Sequence, residues 1–177
     1  MHFKNKTFEQ FKNVLSKEQH QHVLDVLTER AWSFDNWAEH EADKGILCWS
    51  MWGLETREFF NTVFFNRIQE ITGRKYNYSR IYANGQSFGQ DGVFHLDEND
   101  PNAHTFLYYA TPLDPLEVYE YGGETQFIQD TGEMYHVYPF TNTAVIFSGN
   151  IWHRGMGPNK WSKQLRTSIA FKLYLAK

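Results

Sequence analysis

A mainly β fold with supporting helices, closed as a double-sheet jelly roll, is what this sequence predicts, and two observations carry the prediction. Two amphipathic stretches at helical spacing lie within the first seventy or so positions. From Tyr76 onward the apolar period changes to two, in short runs divided by turn residues. Helices followed by many short strands place the helices on one face of a β structure. No internal repeat, linker or low-complexity tract interrupts the 177 residues. One domain over 1–177 is therefore expected, helical and rich in aromatics over residues 1–75, with a β core over residues 76–177.

In order, residues 8–15 form a short apolar-rich lead-in. Ser16 stands three residues before Gln19, the pattern of a capping box, and Val23, Leu24, Val26 and Leu27 give the following helix a buried face that should end near Arg30. Residues 31–53 read as a loop or irregular hairpin: Trp32, Phe34, Trp37, Trp49, Met51 and Trp52 flank the polar run from His40 to Gly45. These aromatics suit a cluster sealing the fold better than a substrate rim. A second helix is expected over 55–72, with Phe59, Phe60, Val63, Phe64, Ile68 and Ile71 at spacings of three and four and Gly73 at its C-terminal cap.

A strand over 76–82 should then meet a turn at Asn84-Gly85. The glycine-rich stretch 85–92 lacks the spacing, lysine and following helix of a phosphate loop, and reads as a flexible connection. Further strands are expected at 104–111, 124–128, 134–138, 143–147 and 166–175, with a loop over 113–121. Gly122-Gly123 marks a place of positive φ or close backbone approach.

Composition narrows the function. A net charge of −4 offers no basic field, which disfavours nucleic acid as a partner. The single Cys48 cannot form an internal disulfide, the first residues lack the apolar core of a signal peptide, and no apolar run reaches membrane-spanning length. A soluble protein of a reducing compartment, cytoplasmic, with no membrane partner, is expected.

The chemistry gathers at Val93-Phe94-His95-Leu96-Asp97. An imidazole and a carboxylate two residues apart on an extended segment point the same way and can share one metal ion. In a chain with eight histidines that pair is a weak signal alone. His153, within Ile151-Trp152-His153-Arg154-Gly155, supplies a third ligand. Two His and one carboxylate make the facial triad of non-haem Fe(II) oxygenases, with open positions for co-substrate and oxygen. His104 and His136 fall outside this pattern and read as strand histidines with local partners.

Four elements in order then carry a resemblance over about residues 80–175. They are His95-Leu96-Asp97; the strand Thr105-Phe106-Leu107-Tyr108-Tyr109 with Gly122-Gly123-Glu124-Thr125-Gln126-Phe127; Ala144-Val145-Ile146-Phe147 leading to Trp152-His153-Arg154-Gly155; and the basic strand beginning Leu165-Arg166-Thr167-Ser168. Together they resemble the catalytic core of 2-oxoglutarate and Fe(II)-dependent oxygenases, in the prolyl 4-hydroxylase-like branch. The resemblance implies a double-stranded β-helix with N-terminal helices on its major sheet. It also implies Fe(II) on His95, Asp97 and His153, 2-oxoglutarate and O2 as co-substrates, and ascorbate as an accessory reductant.

The far carboxylate of 2-oxoglutarate needs a cation, and the candidates are Lys163 and Arg166. The family's usual interval from the distal histidine favours Lys163. Strand parity favours Arg166, because Arg166, Ser168 and Ala170 share the polar face of their strand while Ile169, Phe171 and Leu173 share the apolar one. Arg166 is chosen, assisted by Ser168 as in the family's Arg-x-Ser pattern. Tyr109 resembles a position that binds the same carboxylate, and Tyr82 is a second candidate. The implied activity is hydroxylation of an unactivated C–H bond with release of succinate and CO2, most simply on a prolyl or other residue of a peptide or protein. The same chemistry on a free amino acid or small metabolite, and a cupin-like metal-binding domain without oxygen chemistry, are the alternatives. Nothing in the sequence sets the oligomeric state.

Overall fold

A computed structural model describes residues 8–36 and 47–176. Trp37 and the polar run from His40 to Gly45 lie outside the described residues. Within the described residues ten strands form two antiparallel sheets. The larger has seven strands in the order β1 (Phe8–Lys12), β8 (Thr143–Ser148), β5 (Ala103–Tyr109), β10 (Arg166–Leu175), β4 (Tyr76–Gln86), β3 (Cys48–Met51) and β2 (Ser33–Asn36), and the smaller has three in the order β7 (Met134–Val137), β6 (Thr125–Ile128) and β9 (Trp152–Gly155). With three helices beside them, this is the expected β fold with supporting helices.

The chain opens with β1 (Phe8–Lys12), which pairs with β8 (Thr143–Ser148) in the register Phe8↔Phe147. The sequence shows only a lead-in here. Phe8 and Phe11 are three residues apart and so lie on opposite faces of a strand; Phe8 stacks on Phe127 while Phe11 meets Phe106. A strand covered on both faces shows no period of two, which hides it. Helix α1 (Lys17–Leu27) begins at the expected capping box: Ser16 Oγ accepts from Gln19 N at 3.3 Å and Gln19 Oε1 from Ser16 N at 3.0 Å. It stops at Thr28, earlier than Arg30, with the Thr28 hydroxyl bonded to Asp25 O.

Strands β2 (Ser33–Asn36) and β3 (Cys48–Met51) pair as the irregular hairpin. The single helix expected over 55–72 is three pieces: a 3₁₀ turn at Leu54–Thr56, a π-helical segment Phe59–Phe64, and α2 (Phe65–Thr72), which ends at Gly73 with φ 64°. Phe60, Phe64 and Ile68 are fully buried across the junction of the last two. Their burial against the sheet holds the wider winding in place.

The turn expected at Asn84-Gly85 is absent. Strand β4 (Tyr76–Gln86) runs straight through it, paired with β3 on one side and with β10 (Arg166–Leu175) on the other. Gly85 is there for room: a Cβ on it would lie 3.1 Å from the Trp32 ring and 3.3 Å from Leu165 and Trp49. After β5 (Ala103–Tyr109), the expected loop over 113–121 contains α3 (Pro115–Tyr121). Asp114 Oδ1 accepts from Leu116 N and Glu117 N, Glu117 reaches back to Asp114 N, and Pro115 takes the first helical position. Strands β6 (Thr125–Ile128), β7 (Met134–Val137) and β9 (Trp152–Gly155) complete the small sheet.

Two cores follow. One lies between the helices and the large sheet, where Val23, Phe64 and Ile68 meet Phe106, Ile169, Phe171 and Leu173. The other lies between the sheets, with Leu107, Val145, Phe147 and Ala170 facing Phe127. Among the described residues no helix is long and apolar enough to cross a membrane. Gly85→Val should lower the unfolding free energy by about 1–3 kcal/mol through overpacking. Urea denaturation measures this, and an unchanged midpoint would show that the site has room.

Candidate metal centre

A cavity of about 640 Å³ opens between the two sheets. Main-chain bonds bring the three predicted ligands to it. His95 and His153 form an antiparallel bridge, each backbone N–H donating to the other's carbonyl, at 3.0 and 3.1 Å. The amides of Asp97 and Glu98 both donate to Gly149 O, at 2.8 and 3.0 Å. Gly149 permits this approach, since a Cβ there would sit 3.1 Å from Glu98 Cβ.

Each imidazole is fixed in the same way. His95 Nδ1 lies 2.9 Å from Val93 O, and His153 Nδ1 lies 2.9 Å from Ile151 O. A carbonyl only accepts, so Nδ1 carries the proton and Nε2 turns its lone pair to the centre. His95 Nε2 stands 3.6 Å from Asp97 Oδ1 and His153 Nε2 3.5 Å from Asp97 Oδ2. One ligand atom from each of the three residues falls within 4.8 Å of the others, so the set fits a single ion.

Protonation states agree with that fit. Burial pushes the His153 imidazole down to about 4, against a partial opposing pull from Asp97. Burial alone would raise the Asp97 carboxyl. The Lys172 ammonium first, then His153, together with the hydrogen bond from Lys172, hold it well below the usual carboxylate range. A neutral imidazole beside an ionised carboxylate is the donor set that a divalent ion of intermediate softness takes.

Further along the same face of β10 sits Arg166, buried at 5% exposure, whereas Lys163 is exposed outside the cavity. The guanidinium is held by neutral acceptors: Nε to Gly123 O at 2.6 Å, Nη1 to Gln86 Oε1 at 2.9 Å and Ser168 Oγ at 3.4 Å, and Nη2 to Thr125 Oγ1 at 2.9 Å. Among the described residues no carboxylate lies within ion-pair distance of it. Gly123, with φ 82°, lies flat on its stem, where a Cβ would come within 3.4 Å. Tyr109 is buried with its ring 5.5 Å from the guanidinium, and its hydroxyl donates to Thr125 Oγ1 at 2.7 Å. Burial pushes that phenol up to about 12, so it stays a neutral donor. Tyr82 lines the cavity under the exposed Trp52, stacked at 4.7 Å.

His104 and His136 stand apart from the three ligands, on Asn102 O and Glu124 respectively. Four polar neighbours are not evident from sequence. Gln86 and Thr125 reach Arg166 through strand pairings that no local pattern announces. Thr105 and Lys172 both contact Asp97 Oδ2, the hydroxyl at 2.6 Å and the ammonium closer still. Lys172 does carry a signal, because it shares the parity of Arg166, Ser168 and Ala170.

No protein-family model and no curated protein matches the chain in sequence. Solved structures do match in shape. A prolyl-4-hydroxylase of Pseudomonas putida is 14% identical, with a TM-score of 0.69 over 96% of this chain and 93% of that one. A prolyl hydroxylase from Trichoplax adhaerens, in complex with a hypoxia inducible factor peptide fragment, is 14% identical with a TM-score of 0.72, over 94% and 83%. The non-heme alpha ketoglutarate-dependent epimerase SnoN of nogalamycin biosynthesis is 10% identical with a TM-score of 0.70, over 97% and 78%. At such identities the likeness is one of fold: the chain has the jelly-roll fold of prolyl hydroxylases and 2-oxoglutarate–Fe(II) oxygenases.

His153 gives the metal-free protein a pH dependence. Its folded value of about 4 lies below the ordinary 6.5, so its contribution to stability is complete above pH 6.5 and is lost as pH falls toward 4. Burial lowers His20 too, which adds to the loss in the same direction below pH 6.5. The thermal midpoint should therefore fall from pH 6.5 to 4, and less steeply in His153→Gln. An identical slope in that variant, read by calorimetry, would remove His153 from the account.

Proposed function

We propose that the protein is a 2-oxoglutarate- and O2-dependent Fe(II) dioxygenase that hydroxylates an unactivated C–H bond, on a prolyl or other residue of a peptide or protein. One observation carries this reading. A buried guanidinium with only neutral partners shares a cavity with two imidazoles and a carboxylate converging on one point. A buried cation left without an anion is costly, and a diacid chelating a nearby ion would complete both ends.

Fe(II) would be held by His95 Nε2, Asp97 and His153 Nε2. With 2-oxoglutarate it supplies the oxidising chemistry, in which O2 is consumed and succinate and CO2 leave. The protein's own groups then have separable tasks. Arg166 receives the far carboxylate with its fork, and the Ser168 and Thr125 hydroxyls, already within reach of the guanidinium, fix the angle. Tyr109 reinforces Thr125 as a neutral donor. Leu107, Phe147 and Ala170 give the co-substrate an apolar wall. Cys48 also lines the cavity, but burial pushes its thiol up to about 11, so it stays protonated and a poor nucleophile.

Support for a peptide substrate comes from the cavity mouth, where Trp52 and Trp152, at 46% and 47% exposure, offer flat apolar surfaces to an incoming chain. The similar Trichoplax adhaerens enzyme is one that binds a peptide. A free amino acid or small metabolite is the second reading. It is favoured by the exposed Asp35 and Arg80, opposite charges that line the same cavity.

Anaerobic titration of the Fe(II)-loaded protein with 2-oxoglutarate should give the saturable visible absorption band of an iron-chelated keto acid, absent in His153→Ala. Arg166→Ala should keep the band but weaken apparent affinity about 10- to 100-fold, the worth of a charge-assisted fork. Bound metal without a band would favour a cupin-like domain that does no oxygen chemistry. Asp97→Ala should retain the far-ultraviolet circular dichroism of the fold while losing turnover, followed as succinate release. Undiminished turnover would overturn the ligand assignment.

A further inference from the structure

We propose that Lys172 is the resident counter-cation of the metal centre. Its ammonium grips Asp97 Oδ2, so the carboxylate offers the ion Oδ1 alone, and it sets metal affinity below what the three ligands would otherwise give. This rests on the metal-centre reading above.

The two oxygens of Asp97 have different surroundings. Oδ2 accepts from Thr105 Oγ1 at 2.6 Å and from Lys172 Nζ and lies 3.5 Å from His153 Nε2, while Oδ1, which takes neither donor, faces His95 Nε2 at 3.6 Å. Lys172 Nζ also donates to Thr105 Oγ1 at 3.1 Å, which closes a triangle of three side chains. Strand register builds this triangle: Thr105 and Lys172 are direct partners across β5 and β10 and point to the same side. Both charges are shielded, with side-chain exposures of 12% for Lys172 and 10% for Asp97. A lysine meeting a carboxylate at a shielded site beside two imidazoles is not required by packing, since a methionine or leucine would fill the same space without desolvating a charge.

Arg166 already answers the need for a keto-acid cation at the other end of this strand face, six residues or roughly 20 Å of strand away. Lys172 therefore acts on the ion. A carboxylate whose Oδ2 is held by two donors binds through one oxygen, which keeps open the positions that a chelating diacid and O2 require. An ammonium touching the ligand also opposes an incoming divalent charge across a few ångströms of shielded space. Before metal arrives, it neutralises the buried carboxylate, so the empty site is not a charge defect.

The test compares Co(II) and Mn(II) binding, by isothermal titration calorimetry, in the wild type, Lys172→Met, Lys172→Arg and Thr105→Val, together with melting of the metal-free proteins. Lys172→Met should bind both ions about tenfold tighter or more, a decade corresponding to about 1.4 kcal/mol. Its metal-free form should melt lower, with a larger rise on adding metal, and Lys172→Arg should stay close to the wild type. Thr105→Val removes a donor but no charge and should shift affinity much less. Unchanged or weaker binding by Lys172→Met overturns the proposal, as does an equal shift in Thr105→Val. Should Lys172→Met fail to fold, Lys172→Gln makes the same comparison. A wild type that binds neither ion would instead overturn the metal centre itself, and the Lys172 role with it.

Discussion

The alternation of strand β10 is the constraint on which the rest depends. Between β4 and β5, near the middle of the large sheet, it turns Ile169, Phe171 and Leu173 toward the helices and Arg166, Ser168, Ala170 and Lys172 toward the cavity. A slip of one residue would exchange the faces, burying two cations among Phe60, Phe64 and Phe106 and opening the helix-side core to water. The cost of that exchange fixes the register. Stability and site geometry are thus one specification, because the apolar face that holds the helices also decides where the polar face points.

That polar face carries two buried cations, each handled differently. Arg166 is surrounded by a carbonyl, an amide oxygen and hydroxyls, and among the described residues no carboxylate pairs with it. Lys172 meets a carboxylate directly. The first arrangement leaves a preference for an anion that no described residue supplies by direct contact. The second removes such a preference and gives orientation in return, since a shielded ion pair adds little net stability but punishes misplacement of either partner. Placed at opposite ends of one face, they divide the cavity into an end that waits for charge and an end already balanced.

Much of this is legible in the residues. The capping box at Ser16, the C-terminal glycine at position 73, the change of period at Tyr76 and the parity of β10 are local signals, and local signals survive in a sequence. What stays hidden is non-local or masked. Strand β1 has its two phenylalanines on opposite faces and so shows no alternation. Asn84-Gly85 looks like a turn because glycine serves turns and close packing alike, and only the Trp32 and Trp49 side chains pressing on Gly85 tell them apart. Helix α3 reads as a loop because of its flanking charges, although Asp114-Pro115 and Glu117 spell its start. The surroundings of Arg166 depend on Gln86 and Thr125, which only pairing brings near. Lys172 lies within the parity pattern, one step beyond Ala170.

The segments that carry His95, Asp97 and His153 are held chiefly by main-chain bonds: Gly92 to Gly155, His95 to His153 in both directions, and Asp97 and Glu98 to Gly149. Such a lattice is indifferent to the side chains hung on it, apart from glycines where two backbones touch. Residues between the ligands can therefore drift far without moving the ligands. A scaffold of this kind keeps three side chains converged on one point while its sequence becomes unrecognisable, and it leaves the cavity walls free to change.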